Sequence, residues 1–276
     1  MNLRWLVLIP VLALVQEQSA SPSRDKQAAG SAISERFRRQ FNFYPGGRIQ
    51  VAAGIAGDIK IIGWKRGSVL VEAEKIFYGV DAAEAKKLTD QYPVKVRFTH
   101  TTAVIQTLGP DPTGGSVEVH LAVYVPKDKT DLGIQVVKGD VAIGAINGWI
   151  EATLVEGNAE VKSLQGYFSL LTQEGDISVE MDARRWEGHG LTAATQKGTV
   201  HLKLPAAYSA ALQLETRDGN IHIDFPEQVV EGESVPLKIL TNKNARTMTA
   251  SVGDGGAPLR LFTAIGDIYL TQSKSP

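Results

Sequence analysis

The chain has 276 residues, 43% of them hydrophobic, with 30 acidic and 29 basic side chains and no cysteine. A formal net charge of −1 without a block of Lys or Arg argues against a nucleic-acid interface. The lack of cysteine excludes disulfides, thiol chemistry, iron–sulfur clusters and a cysteine-linked lipid anchor. The apolar content is enough for one large core or two smaller ones.

Residues 1–20 have the features of a secretory signal peptide. Arg4 precedes an apolar run over 5–15, which is shorter than the roughly 20 residues needed to span a bilayer. We expect cleavage after Ala20. The alternative is an uncleaved amphipathic anchor, because Gln18 occupies the −3 position of the cleavage site, where a small residue is usual. No later segment reaches transmembrane length, so we expect an exported protein that is periplasmic, surface-located or secreted.

Residues 21–40 are polar and predict a linker, with a short helix over 34–40. The folded domain is expected over 41–276. Alternating residues and turn signals predict strands in its first part at 48–51, 57–61, 68–73, 94–98, 103–108 and 116–125.

One helix is predicted, over 81–91. Asp81 can cap its first turn, Glu84 follows three residues later, and the interior is rich in alanine. Pro93 ends it.

A glycine that recurs every nine residues is the main signal for the fold. It opens the pattern Gly-x-apolar-polar-apolar in regular copies that begin at Gly139, Gly148, Gly157, Gly166 and Gly175. Less regular copies begin at Gly57, Gly198, Gly219 and Gly266. The apolar positions of one copy cannot be buried alone, so copies must stack. We therefore predict an all-β protein, a β-solenoid resembling a right-handed β-helix with short stacked strands.

The number of strands in each coil is open at this point. Steps of 18, 18, 23 and 21 residues from Gly139 to Gly219 favour two strands per coil, and three per coil with a 27-residue period is the alternative. A plain antiparallel sandwich is the competing fold.

The repeats contain several residues that could bind a metal, but none in a complete motif. The extra glycines and fixed aspartate of calcium-binding nonapeptide repeats are missing, so Asp140, Asn158 and Asp176 are interpreted as turn residues. His201 and His222 share an outward repeat position and could stack, without a third ligand at a recognisable spacing. We expect no metal and no cofactor.

Catalytic motifs are also missing, and no catalytic residue is assigned. Glu151 and Glu160 occupy the same outward position in successive copies, and such a carboxylate pair could serve a glycosidase. A solvated polar face is the favoured explanation, because no neighbour in the sequence is suited to shifting a pKa.

An insertion between two repeats is the densest cluster of recognition-type side chains. Arg184, Arg185, Trp186 and His189 could form a binding loop for sugars or peptides. The alternative is that Trp186 folds over an edge of the solenoid and covers it.

Several segments in combination resemble a known family. They are 45–51, 57–64, 69–73, 123–126 and 195–205, the last echoed at 216–223 and 263–270. Over about 41–270 the chain resembles the exported bacterial β-strand-repeat proteins called "putative adhesins", a family of unknown function related to GIN-type adhesin head domains. The resemblance implies a β-solenoid in the cell envelope and supplies no catalytic residues.

Three hypotheses of function follow. The first is a non-enzymatic envelope or secreted module that binds a surface glycan or protein. The second is a polysaccharide lyase or hydrolase, for which Glu151, Glu160, Arg184 and His189 are the candidates. The third is a stress-response partner that docks to a membrane regulator through Arg36, Arg38 and Arg39 of the linker. No nucleic-acid partner is expected, and the sequence leaves the oligomeric state open.

Overall fold

A computed structural model describes residues 32–113, 115–226, 228–230, 233–235, 237–241 and 245–273. The expected signal peptide and the linker residues up to 31 lie outside these ranges.

The described residues form one helix and a series of mostly short strands. In chain order these elements are β1 (Ile33–Asn42), β2 (Arg48–Ala53), β3 (Ile59–Trp64), β4 (Ser68–Phe77), α1 (Ala82–Gln91), β5 (Val94–Phe98), β6 (Thr102–Thr107), β7 (Val117–Pro126), β8 (Asp128–Lys138), β9 (Val141–Gly144), β10 (Asn147–Glu156), β11 (Ala159–Lys162), β12 (Gln165–Glu174), β13 (Ile177–Glu180), β14 (Gly188–Lys197), β15 (Val200–Leu204), β16 (Ala210–Asp218), β17 (Ile221–Asp224), β18 (Gln228–Val230), β19 (Glu233–Val235), β20 (Leu240–Thr241), β21 (Arg246–Val252), β22 (Pro258–Ile265) and β23 (Ile268–Gln272). The predictions of an all-β chain and of one short helix are confirmed.

Two large mixed sheets contain all but two of these strands. Sheet I has the order β1-β4-β7-β3-β9-β11-β13-β15-β23-β17. Sheet II has the order β20-β21-β16-β22-β14-β12-β10-β8-β2-β6-β5. The pair β18–β19 forms a separate two-stranded sheet.

In the repeat region the chain alternates between the two sheets. Strand β10 pairs in parallel with β12, and Gly148 aligns with Gly166. Strand β11 pairs in parallel with β13, and Ala159 aligns with Ile177. Equivalent residues in these two strand pairs are therefore 18 residues apart, and consecutive strands lie in alternate sheets. This agrees with two strands per coil and contradicts the antiparallel sandwich.

The glycines of the nine-residue repeat therefore belong to two columns, not one. Gly139, Gly157 and Gly175 lie at the turns before strands of sheet I, whereas Gly148 and Gly166 lie inside strands of sheet II. Both kinds of copy look alike in sequence because each places apolar residues two and four positions after the glycine, where a strand of either sheet points inward.

Aligned apolar side chains fill the space between the sheets. Ile150, Phe168, Leu191 and Leu259 follow one another across sheet II and are at most 1% exposed. Burial of each such side chain contributes about 1.5–3 kcal/mol relative to exposure. The core therefore runs continuously from coil to coil, as expected for repeats that cannot bury their apolar residues singly.

The helix begins as predicted. The carboxylate of Asp81 accepts a hydrogen bond from the backbone N–H of Glu84 at 2.8 Å, and Ala85 is buried. At the other end the N–H of Tyr92 donates to the carbonyl of Leu88, just before Pro93.

The prediction of a short helix over 34–40 is wrong. These residues belong to β1, which pairs with β4 over its entire length in antiparallel register. Arg36 and Arg38 form ion pairs with Glu74 and Glu72 of β4, at 3.2 and 3.1 Å. A full strand ladder along β4 outweighs the weak local preference for helix. The described end of the expected linker is thus part of sheet I.

Candidate functional site

The predicted binding loop does not present its tryptophan to solvent. Trp186 is only 4% exposed, and its Nε1 donates a hydrogen bond to the backbone carbonyl of Gly166 at 2.9 Å. The backbone carbonyl of Arg184 accepts a hydrogen bond from the N–H of Ser209. Arg185 forms an isolated parallel β-bridge with Ser209. Trp186 thus joins the core and anchors the loop. Its partner Gly166 lies on β12, inside sheet II and not on an edge strand, so the alternative that Trp186 covers an edge is not what the structure shows.

The other three residues of the loop have exposed side chains. Arg184 and Arg185 lie on one side of the buried Trp186, and His189 lies on the other. The ring of His189 is 6.1 Å from that of Trp149, centroid to centroid. This contact leads from the loop to an aromatic group that the sequence analysis did not identify.

Trp149 and Tyr167 form that group on the outside of sheet II. They are aligned neighbours on β10 and β12, and their rings stack with centroids 3.9 Å apart and planes 21° from parallel. Trp149 is 45% exposed, and its Nε1 donates to a carboxylate oxygen of Glu151 at 3.1 Å. The available signal was that an aromatic residue directly follows both Gly148 and Gly166, the two glycines of the nine-residue repeat that lie in strands of sheet II.

A row of polar residues runs beside these rings. We call the outward side of β2, β8, β10, β12, β14 and β22 the outer face of sheet II. Its polar row consists of Gln50, Gly133, Glu151, Ser169, Thr192 and Arg260, each aligned with the next on the neighbouring strand. The neighbouring row, which contains the two stacked rings, consists of Arg48, Asp131, Trp149 and Tyr167.

The structure does not bring the candidate carboxylates together. Glu151 lies on β10 of sheet II, whereas Glu160 lies on β11 of sheet I. Glu160 forms an ion pair with Lys162 at 2.6 Å, and this hydrogen bond raises the pKa of the lysine. Their common repeat position thus puts the two glutamates on opposite sheets, and the glycosidase pair predicted as one alternative is not formed.

His201 and His222 do share a face, with Tyr269 between them. The ring centroid of Tyr269 is 4.9 Å from that of His201 and 4.5 Å from that of His222, with nearly parallel planes. Nε2 of His222 lies 3.1 Å from Asp267, whose pKa is lowered chiefly by the backbone N–H of Asn220. Burial lowers the pKa of His201 below its usual value of 6.5.

The histidine stack does not build a metal centre. Within the described ranges, no three His, Cys, Asp or Glu side chains are grouped closely enough to hold a metal ion. The strands insert Tyr269 between the two histidines because β23, from the end of the chain, lies between β15 and β17.

The Asp and Asn residues that follow the turn glycines have a structural role. Oδ1 of Asp140 accepts a hydrogen bond from the N–H of Asn158 at 2.8 Å, and Asn158 accepts one from the N–H of Asp176 at 2.9 Å. Asp176 in turn accepts from Thr199 at 2.7 Å. Each side chain thus satisfies a backbone donor of the next coil, which explains this residue type without a bound cation.

The one described helix, α1, is too short and too polar to cross a membrane, and no other described segment is helical.

Comparison with known proteins gives one family match. Residues 150–271 match the family described as Toastrack DUF4097. The matched stretch runs from β10 to β23 and includes most of the glycine repeats. No curated protein matches the chain.

The solved structures that this chain is similar to are distant in sequence, and their TM-scores are below 0.5. A "putative cell adhesion protein" from Clostridium sporogenes is 8% identical, with a TM-score of 0.40, over 87% of this chain and 100% of its own. A "putative adhesin" from Bacteroides fragilis is 11% identical, with a TM-score of 0.39, over 86% and 97%. A "putative lipid binding protein" from Parabacteroides distasonis is 11% identical, with a TM-score of 0.28, over 87% and 97%.

Proposed function

We propose that this protein is a non-enzymatic binding module of the bacterial cell envelope. It binds a surface glycan or protein through the outer face of sheet II. The observation that carries the proposal is the exposure of Trp149, which is 45% accessible although it lies in the middle of a sheet between paired strands. A large, flat aromatic side chain kept at the surface is typical of binding sites.

The stack on the other sheet supports the choice of this face. Tyr269 is covered on both ring faces, by His201 and by His222. Trp149 is covered by Tyr167 from the side of β12, and its strand neighbour on the other side is the smaller Asp131. The indole therefore has one face that a ligand can contact, and the phenol ring of Tyr269 has none.

The loop with Arg184, Arg185, Trp186 and His189 forms the rim of this surface in our proposal. Trp186 fixes the loop by its buried contact with Gly166. His189 extends the aromatic group, and the two arginines supply charge at the border. This division matches the general anatomy of interfaces, in which a compact aromatic centre is bordered by polar residues.

We extend the family match to the chain as a whole and infer a β-solenoid of the Toastrack type, right-handed and with two strands per coil. The parallel pairing at 18-residue intervals supports this inference. Export through the signal peptide at 1–20 belongs to the same proposal, as does membership in the adhesin-like family. The relation to GIN-type head domains stays a prediction.

The absence of catalysis is part of the proposal. Glu151 and Glu160 lie on different sheets, and Glu160 is engaged by Lys162. Arg184 and His189 flank a structural tryptophan. A lyase or hydrolase requires an acid and a base that meet at one bond.

Binding to envelope fragments tests the proposal. The purified protein is mixed with cell-envelope fragments of the producing bacterium, and the bound fraction is measured by sedimentation. We expect Trp149→Ala to weaken retention by roughly tenfold, as for a central aromatic contact. Tyr269→Ala is the matched control on sheet I and should bind like the wild type. Equal retention of wild type and Trp149→Ala would contradict the proposal.

A further inference from the structure

Gly133 is a glycine that the fold does not require. It lies in the middle of β8, and a Cβ built there would meet only Cγ of Gln50, at the ordinary contact distance of 3.8 Å. Its φ angle is outside the left-handed region. Gly166 is different, because its φ is 96° and a Cβ there would collide with the backbone of Gly148. Glycine weakens a strand interior, and one that no close backbone atom or left-handed φ requires is a position where a ligand can approach the strand closely.

The missing side chain leaves the outward side of β8 open at Gly133, two residues along the strand from Asp131, the aligned neighbour of Trp149; we call this opening the gap. Gly133 is aligned with Gln50 on one side and with Glu151 on the other. The hydrogen bond from Nε1 of Trp149 to Glu151 holds the indole along β10, toward the position opposite Gly133. Because Tyr167 covers the β12 side, the free face of the indole is turned toward β8 and the gap.

The polar groups around the gap determine which ligand fits. Asp131 and Glu151 offer carboxylates, Gln50 offers an amide, and Arg48 offers a guanidinium, all on the outer face of sheet II. Beside the gap, apart from the arginines of the rim, two acidic groups and one basic group disfavour a polyanion. Carboxylates and amides beside a flat aromatic face suit a ring that carries many hydroxyl groups, which donate to the oxygens while the C–H face of the ring packs on the indole.

We propose that the gap over Gly133 is a subsite for one pyranose ring of a neutral glycan, which stacks on the free face of Trp149 and donates hydroxyl hydrogen bonds to Asp131 and Glu151. The inference rests on the proposed function and specifies its ligand. The glycan chain continues across the strands, along the polar row toward Ser169 and Thr192, which can accept and donate further hydrogen bonds.

Oligosaccharide binding to the purified protein tests this inference. The probes are a panel of neutral gluco-, manno-, xylo- and N-acetylglucosamine oligosaccharides together with acidic oligouronates, and binding is measured by calorimetry. We expect at least one neutral probe to bind and to bind more tightly than every oligouronate. Gly133→Val, which fills the gap with a side chain suited to a strand, should weaken its binding by roughly tenfold.

The controls separate blocked binding from lost folding. Gly133→Gln is a second variant that fills the gap, and Thr153→Gln, further along the exposed side of β10, leaves the gap open. Each variant is used at a temperature where its circular dichroism matches the wild type. The inference would be overturned if no neutral probe bound or if an oligouronate bound more tightly than every neutral probe. It would also be overturned if both Gly133 variants bound with wild-type affinity.

These outcomes are distinguishable from a failure of the proposed function. If envelope fragments retain the wild type and not Trp149→Ala, while Gly133→Val is retained fully, the surface binds but the subsite is wrong. If Trp149→Ala is retained as well as the wild type, both proposals fail.

Discussion

Gly157 lies so close above Gly139 of the preceding coil that no side chain fits between them. A Cβ on Gly157 would collide with the carbonyl oxygen of Gly139, and the φ angle of Gly157 is 144°, in the region that favours glycine. The backbones of successive coils thus approach each other directly at this turn. Glycine at these turns leaves the room that this approach requires.

The first prediction concerns these turn glycines. Gly157→Ala should lower the free energy of unfolding by roughly 3–5 kcal/mol, because it adds a backbone collision to an unfavourable φ. Urea denaturation followed by circular dichroism measures the change. Gly133→Ala is the matched control, and it should change stability by less than about 1 kcal/mol because its Cβ meets no close atom. Equal effects of the two variants would contradict this role of the turn glycines.

The second prediction concerns the hydrogen bonds between turns. Asp140→Ala removes the acceptor of both the N–H and the Nδ2 group of Asn158, at 2.8 and 3.1 Å. We expect a loss of about 1 kcal/mol, the net value of such an exposed contact. Asp140→Asn keeps a side-chain oxygen and should lose less than half as much in the same denaturation experiment. If Asp140→Asn lost more than half as much stability as Asp140→Ala, the charge of the side chain would matter more than its hydrogen bonds.

The third prediction separates structural and binding roles within the loop. Trp186→Ala should lower the free energy of unfolding by roughly 3–5 kcal/mol, because it removes a buried aromatic side chain. Arg185→Glu should change stability by less than about 0.5 kcal/mol, since its side chain is exposed. If the loop forms the rim of the binding surface, Arg185→Glu should still reduce retention on envelope fragments. Unchanged retention would remove the arginine from the proposed site.

The fourth prediction is a pH dependence of stability from His201. Burial lowers the pKa of this histidine in the fold, and the opposing effect of Asp176 is smaller. Below the usual pKa of 6.5 the unfolded chain therefore binds more protons at this residue than the fold does, so stability falls as the pH is lowered from that value. Thermal unfolding between about pH 7.5 and 5 measures the slope, above the range in which most carboxylates titrate.

His201→Gln should reduce this slope, and His100→Gln, which alters an exposed histidine in a turn, is the matched control. An unchanged slope in His201→Gln would assign the pH dependence to other groups. Asp267 acts in the same direction at lower pH, since its lowered pKa stabilises the fold above 3.8 and this contribution is lost as the pH falls through the folded value.

The sequence predicted the repeats well because their cause is local. A turn that needs glycine and a strand that buries alternate residues together produce a recognisable pattern within five residues. Gly157 and the buried pair Ala159 and Val161 are an example. The 18-residue steps favoured two strands per coil, but three per coil stayed open because inward-facing strands of either sheet have the same alternation. The strand β1 was missed because its partner β4 begins 26 residues after β1 ends, too far for a local pattern to show.

The candidate site was harder to predict because its members meet only across strands. Trp149 and Tyr167 are 18 residues apart, and their stacking depends on the register between β10 and β12. Trp186 was identified for its chemistry, but its burial depends on a contact with Gly166. A sequence shows which aromatic residues exist, whereas pairing between distant strands decides which of them are exposed.

The most direct test of the proposed binding surface is photo-crosslinking in living cells of the source organism. A photoreactive residue is placed at Thr153, on the outer face of sheet II, or at Glu160, on the outward side of sheet I; both positions are exposed. We predict reproducible capture of an envelope component from position 153 and none from position 160. Capture from position 160 alone, or from neither position while a known envelope pair is captured in parallel, would contradict the account.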